Sequence, residues 1–472
     1  MASTSYDAVV VGSGPNGLAA AITLARGGRS VLVLEADEAV GGGTRSVEST
    51  LPGFVHDRCS AVHPLGASSP AFAEWPLAEH GLTWAHADVA VAHPLDDGSA
   101  AAVTRSLDET AAAMGVDRRA WLRLVGRMAQ RWDIYSDLWL SPLLRVPSHP
   151  LELARSGPWL MQPARTLARL AFKGDHAKAA VAGFAAHAVV PLEHVFTGGA
   201  GLVFNAAAHA VGMPFARGGS QSIADALASY LASLGGDIVT GQRVTTWADV
   251  PPARTVLFDV TPRQVLDIAG ERLSPRVRRS FHRYRYGNAA FKVDYALGEP
   301  VPWKADACRQ AGTVHVGGTI EQIAAGERAV ARGEHPEEPF VLLSQPTLAD
   351  PSRAPTDKQV VWAYCHVPAG STVDMADRVD AQIERFAPGF RDVVLARSTT
   401  GPADLERENA NYIGGDFAGG YTGWPQTFFR PRFALDPWTI GEGVYLCSQS
   451  TPPGVGVHGM CGVYAARRAL RH

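Results

Sequence analysis

Residues 7–46, DAVVVGSGPNGLAAAITLARGGRSVLVLEADEAVGGGTRS, constrain the fold more than any other stretch of this chain. Ala8 to Val11 are all small or apolar, the pattern of a strand buried on both faces. Gly12-x-Gly14-x-x-Gly17 then turns the chain into an alanine-rich helix from Asn16 to about Arg26, which Gly27-Gly28 ends. Ser30 to Leu34 gives a second, parallel strand closing on Glu35. Gly12 permits the tight turn, Gly14 lets a pyrophosphate approach the backbone, and Gly17 lets helix and strand pack closely. The helix N-terminus, with Pro15 and Asn16 in the turn, offers N–H groups and a positive dipole end to phosphates. Glu35, 18 residues past Gly17 and followed by Ala36, is placed to accept hydrogen bonds from an adenosine ribose. A lone glycine turn says little. Strand, turn, helix, strand and terminal acid in that order predict a dinucleotide site, and the acid disfavours the 2′-phosphate of NADP.

Gly41-Gly42-Gly43-Thr44-Arg45-Ser46 follows after a short spacer. This extension resembles the G-G-x-x-R-S segment of FAD-binding flavoproteins of the amine oxidase, protoporphyrinogen oxidase and phytoene desaturase superfamily. The resemblance implies that the extra glycines bring backbone alongside the FAD diphosphate and that Arg45 faces it, with Thr44 and Ser46 in the same segment. Further along, MPFARGGSQSIADALASYLASLGGDIVTGQRV resembles the phytoene-dehydrogenase-like members. It reads as loop, helix from Ser220 to about Leu234, Gly-Gly turn and strand, and the resemblance implies that Val244 contacts the adenine. LFDVTPRQ at 257–264 and FKVDYAL at 291–297 are similar to phrases of the same group. Lys292 and Asp294, two apart on a strand, share a face and read as a structural ion pair. The end of the chain repeats the likeness: a strand Gly443–Cys447, a glycine loop Ser448–Met460, and a helix from Cys461 to Leu470. The resemblance implies that Val457, His458, Gly459 and Met460 face the flavin and that the helix N-terminus stabilises negative charge on the reduced ring. The superfamily often has an acid before this loop; here Ser448 and Gln449 stand instead.

Composition limits the alternatives. A chain of 472 residues, 46% hydrophobic and 19% charged, can bury a large core and divides into two or three units. The net charge of −3 and the lack of a basic run give no footprint for nucleic acid. Five scattered cysteines with no C-x-x-C argue for free thiols in a reducing cytoplasm and against a metal site. MASTSYD has neither the basic nor the apolar region of a secretory leader. No apolar run is long enough to span a bilayer. Membrane contact stays open only because carotenoid-handling relatives dock on membranes.

The middle of the chain reads as a second lobe. Residues 51–72 are a turn-rich crossing loop with His56, Ser60 and His63 among its polar groups. Helical spacing predicts long helices over 106–133 and 163–188, a lobe that either packs or roofs a cavity. Thr313-Val-His-Val-Gly-Gly lacks a third glycine in register and is rejected as a second nucleotide turn. Asn409 to Gly420 holds four glycines in its last seven residues, with Tyr412 and Asp416 among them, which suits backbone pressed against a planar ligand.

The expected fold is α/β: a Rossmann-like, doubly wound, mostly parallel FAD-binding domain interleaved with an α+β substrate lobe. Residues 1–70, 200–300 and 430–472 are expected in the first unit, 71–199 and 301–429 in the second. The resemblance implies hydride removal from a largely apolar organic substrate, with electrons passed to oxygen or a quinone. His458, Tyr412, Asp416 and His63 are the candidate catalytic groups. Oxidation at a C–N bond, a redox-neutral carotene-type isomerisation, and flavin binding without turnover stand as alternatives.

Overall fold

A computed structural model of the chain describes residues 6–142 and 144–471; Met1–Ser5, the start of the segment read as lacking a leader, lie outside them. The strands that matter here are β1 (Tyr6–Val11), β2 (Val31–Leu34), β3 (Val89–Pro94), β4 (Ala100–Thr104), β5 (Asp237–Val239), β6 (Ala253–Phe258) and β7 (Ala289–Leu297). They continue with β8 (Ala311–Val316), β9 (Val341–Ser344), β10 (Gln359–Val367), β11 (Val394–Thr400), β12 (Thr439–Gly441) and β13 (Val444–Leu446). The helices used below are α1 (Pro15–Arg26), α2 (Asp175–Ala186), α3 (Thr197–Ala210), α4 (Gln221–Ser233), α5 (Ile320–Ala331) and α6 (Met460–Ala469).

Two sheets organise the chain. The first has six strands in the order β12-β13-β6-β1-β2-β5, parallel except for β12 at its edge. Its strands are apolar on both faces because both are covered. Val10, Val33 and Leu257 meet α1, α4 and α6 on one side; Val9, Val11, Leu32, Leu34 and Phe258 meet Val265, Ile268 and Phe281 on the other. Helix α6 lies against α1 closely enough that a Cβ on Gly462 would stand 1.8 Å from the Asn16 carbonyl oxygen. The last helix is thereby fastened to the glycine turn at the start of the chain.

The second sheet has seven strands in the order β11-β7-β10-β9-β8-β3-β4, antiparallel apart from the β8·β3 pair. One face carries Val293, Tyr295, Val314, Val341, Leu343, Val361 and Ala363 into a core with Val379, Ile383 and Phe390. By alternation the other face carries Lys292, Asp294, Thr313, His315, Ser344, Trp362 and Tyr364. Residues 289–297, expected with the nucleotide unit, run in this second sheet, and α3 (197–210) packs in the helical layer with Trp121 and Phe184.

The two long helices read from spacing are interrupted. The first breaks after Ala113 into short turns, including a π-helical one at 122–126, and the second breaks at Lys173-Gly174. One side chain joins the breaks. Buried Asp117 accepts the N–H groups of Lys173, at 2.8 and 3.1 Å, and of Gly174 at 2.7 Å. No helix among the described residues is long and apolar enough to cross a membrane.

Candidate functional site

A cavity of about 1330 Å³ runs between the two sheets. One end is bounded by the C-terminal ends of the parallel strands. There Gly12 (φ 100°), Ser13, Gly14, Pro15, Asn16, Glu35 and Ala36 form the wall. A Cβ on Gly17 would stand 2.1 Å from the Gly12 carbonyl oxygen, so only glycine lets α1 leave the strand here. The Glu35 carboxylate accepts from the Ser13 N–H at 2.9 Å, the Ser13 hydroxyl at 2.5 Å and the Asp37 N–H at 2.9 Å, which fixes it at the strand end. Gly17 itself lies behind the wall.

One acid at this end had no assigned role in the sequence. Asp259 follows β6, and the Val11↔Phe258 register puts it beside Gly12. Its Oδ2 accepts the Gly17 N–H at 2.8 Å and would meet a Cβ on Gly14 at 2.7 Å. Burial, reinforced by the charge of Glu35, pushes its carboxyl well above the ordinary carboxylate range. The first turn of α1 therefore offers less than the sequence implied. Pro15 has no N–H and that of Gly17 is taken, which leaves Asn16, whose buried Oδ1 also lacks a partner among the described residues.

Gly42, Gly43, Thr44 and Arg45 continue the wall. Gly43 presses on the Tyr412 hydroxyl, where a Cβ would stand 2.0 Å away. The Arg45 guanidinium donates to the Gly42 carbonyl at 2.9 Å and the Glu408 carbonyl at 3.1 Å, and pairs with Asp37. Ser46 lies outside the wall, donating to buried Asp57 at 2.8 Å and accepting the Gln221 N–H at 3.1 Å. Val244, in the loop after β5, lines the cavity near the Glu35 end. The C-terminal loop closes the circuit with Val457 and His458 in the wall. Gly459 (φ 71°) and Met460 stand behind, a Cβ on Gly459 falling 2.8 Å from that of Ala19.

The four catalytic candidates separate. His458 Nδ1 accepts the Met460 N–H at 3.0 Å and Nε2 lies 3.2 Å from the Gly454 carbonyl, so both ring nitrogens brace its own loop. Burial pushes it down to about 4. Asp416 is outside the wall, accepting N–H groups of Gly287 and Ala418 at 2.8 Å each. Tyr412 lines the cavity, its hydroxyl raised far above its ordinary range by burial and then by Cys59. His63 lines it too, with Ser60 Oγ 3.3 Å from Nδ1 and no partner for Nε2 among the described residues; burial lowers it to about 4.

The opposite end of the cavity is a chamber walled by apolar side chains such as Leu153, Val190, Phe196 and Phe204, with the second sheet as its floor. Lys292 lines the floor and pairs with Asp294, whose Oδ2 also accepts from Ser49 at 2.8 Å. His187, after α2, lines it as well, with its Nε2 3.1 Å from that of His315. Sequence reading gave no role to Thr313, Trp362 or His187; the signal was the polar alternation along β8 and β10. Among the described residues no cluster of His, Cys, Asp and Glu could hold a metal ion, and no cysteine is disulfide-bonded.

Fold and wall together define a Rossmann-type dinucleotide-binding protein. Consistent with this, the NAD(P)-binding Rossmann-like domain family matches residues 10–75. Over 99% of its length the chain is 25% identical to mouse (Mus musculus) "pyridine nucleotide-disulfide oxidoreductase domain-containing protein 2", covering 93% of that protein. It is 29% identical over 131 residues, 26% of each chain, to the 4,4′-diapolycopen-4-al dehydrogenase of Metabacillus indicus. Among solved structures, putrescine oxidase with putrescine bound superposes with a TM-score of 0.64 at 18% identity, over 99% of this chain and 98% of that one. The chain thus combines a Rossmann-like nucleotide-binding domain at residues 10–75 with the overall fold of putrescine oxidase.

Proposed function

We propose that this chain is an FAD-dependent oxidoreductase that dehydrogenates a largely apolar organic substrate, with oxygen or a quinone as acceptor. One observation carries the reading: a single cavity joins a dinucleotide cradle to a mostly apolar chamber. The residues fit the cofactor. Glu35 is held to meet a ribose, glycines stand where any Cβ would close the cradle, and Asn16 brings an N–H and an orphaned side-chain oxygen to the turn. FAD, when bound, supplies the hydride acceptor. The chain orients the substrate, excludes water with the chamber walls, and presents the positive end of α6 to favour negative charge near the Gly454–Met460 loop. His63 Nε2, unpartnered and on the cavity wall, is the atom best placed to receive a substrate proton. A cytoplasmic location suits five cysteines that form no disulfide.

Oxidation at a C–N bond is the second reading, and the fold shared with putrescine oxidase favours it. The carboxylates on the cavity wall weigh the other way. Glu35, Asp37, Asp259 and Glu408 all belong to the cradle end, and the floor offers Lys292 where an ammonium substrate would want an acid. The purified protein should be yellow, and anaerobic titration with apolar alcohols, polyenes and amines should bleach it with one class. A preparation that stays colourless with added FAD sinks the proposal. Bleaching by amines alone selects the second reading, and rapid reduction by NADPH counts against oxygen or a quinone closing the cycle alone.

A further inference from the structure

The floor is polar in a chamber whose other walls are mostly apolar. Register places Thr313, Ser344 and Trp362 in one row across β8, β9 and β10, and the row continues to Asp294 on β7. Thr313 Oγ1, Ser344 Oγ and Trp362 Nε1 are buried and have no hydrogen-bond partner among the described residues. Thr313 and Trp362 also line the cavity. A buried polar group without a partner costs roughly 1–3 kcal/mol, and two of them on one cavity wall point to a partner that arrives with a ligand. His187 also lines the cavity, with its Nε2 committed to His315.

We infer that Thr313 and Trp362 anchor an uncharged oxygen-bearing group, a hydroxyl or a carbonyl, at one end of an otherwise apolar substrate. The assignment rests on the chamber being the substrate site of the proposed function. Three chemical facts narrow the group. An indole N–H only donates, so its partner must accept, which an ammonium cannot do. Lys292 and Asp294 neutralise one another, so a carboxylate would arrive without a free counter-charge. Hydroxyl and carbonyl oxygens accept from Trp362, and a hydroxyl can also donate to Thr313. A site built to hydrogen-bond such a group rejects the analogue lacking it, because its own polar atoms are then left unpaired.

The test uses five hexyl probes: hexane, 1-hexanol, 2-hexanone, hexylamine and hexanoate. Binding is read by calorimetry on the FAD-loaded protein and by perturbation of its visible spectrum. Hexanol and hexanone should bind about tenfold more tightly than the other three. Thr313→Val, close in shape to threonine, and Trp362→Phe, which removes the indole N–H together with one ring, should each cut the hexanol-to-hexane ratio about fivefold. An unchanged ratio in both variants overturns the anchor, as does hexylamine or hexanoate binding best. If either variant fails to fold, the ranking of probes on the wild-type protein decides alone. Calorimetry on cofactor-free protein separates the two levels: the same ranking without any flavin uptake would keep the anchor and sink the flavin reading.

Discussion

The two sheets face the same cavity in opposite ways. The parallel sheet is covered by helices on both faces, so only its strand ends are free, and what they present is mostly backbone: glycine turns and amide N–H groups, with the carboxyl groups of Glu35 and Asp259 beside them. The antiparallel sheet packs one face into a core and turns the other to the cavity, presenting side chains at every second position. Backbone recognition depends on close approach, and a single added Cβ can end it. Side-chain recognition depends on pairing, and fails when a partner is removed.

The largest effect expected from that difference is at Gly17. Gly17→Val places a Cβ 2.1 Å from the Gly12 carbonyl oxygen. It should abolish flavin retention and cost about 3 kcal/mol or more by overpacking, read by flavin content after gel filtration and by urea unfolding. Retention of flavin by this variant would mean that the turn is not the cradle.

Acid stability tests both regions at once. Burial holds His56, His63, His209 and His458 down to about 4, and His93 and His187 to about 3. Each binds its proton more readily when unfolded, so the stabilisation is full above the unfolded value of about 6.5 and is lost as pH falls towards 4. Each group contributes a slope of about 1.4 kcal/mol per pH unit inside that window. Unfolding midpoints should therefore drop steeply from pH 6.5 to 4.5; a flat profile would mean that these rings reach solvent. On the floor alone, Lys292→Met leaves Asp294 buried without its ion-pair partner and should cost about 3 kcal/mol, whereas Lys292→Met with Asp294→Leu should recover most of it. Equal stability of the single and double variants would mean that the pair contributes little.

The same difference explains what the sequence could reveal. Gly12, Gly14, Gly17 and Glu35 lie within one βαβ unit, and each is required by local geometry, so the cradle's start was legible residue by residue. Val457 and His458 were legible only through resemblance, since the closeness of α6 to α1 depends on Gly462 meeting Asn16 from the far end of the chain. The floor was not legible. Thr313, Ser344 and Trp362 come from three strands, and only the register makes them a row. The pair of Lys292 and Asp294 was read from its two-residue spacing, but no local pattern says that Lys292 faces a cavity. The helical lobe was misjudged in length because the carboxylate that caps its breaks, Asp117, lies 56 residues from Lys173.

Asp259 gives the finest probe, because it brings a side chain into the backbone-built end. Its carboxyl is raised well above 3.8 by burial and by Glu35, so the folded state holds that proton more tightly than the unfolded chain. The sign follows: its contribution to stability is complete below about 3.8 and is lost as pH rises through the folded-state value. Ionisation would also set a negative charge beside the Gly14–Gly17 turn, where a diphosphate must approach. Asp259→Asn keeps an oxygen to accept the Gly17 N–H and removes the titration. The variant should gain on wild type as pH rises above about 3.8, by about 1.4 kcal/mol per pH unit until the folded-state carboxyl ionises, with FAD held more tightly at the alkaline end. Both are measurable by thermal unfolding and by fluorescence of released flavin. A wild-type affinity for FAD that does not change over that range, matched by the variant, would show that the acid stays neutral throughout and that the turn is governed by close approach alone.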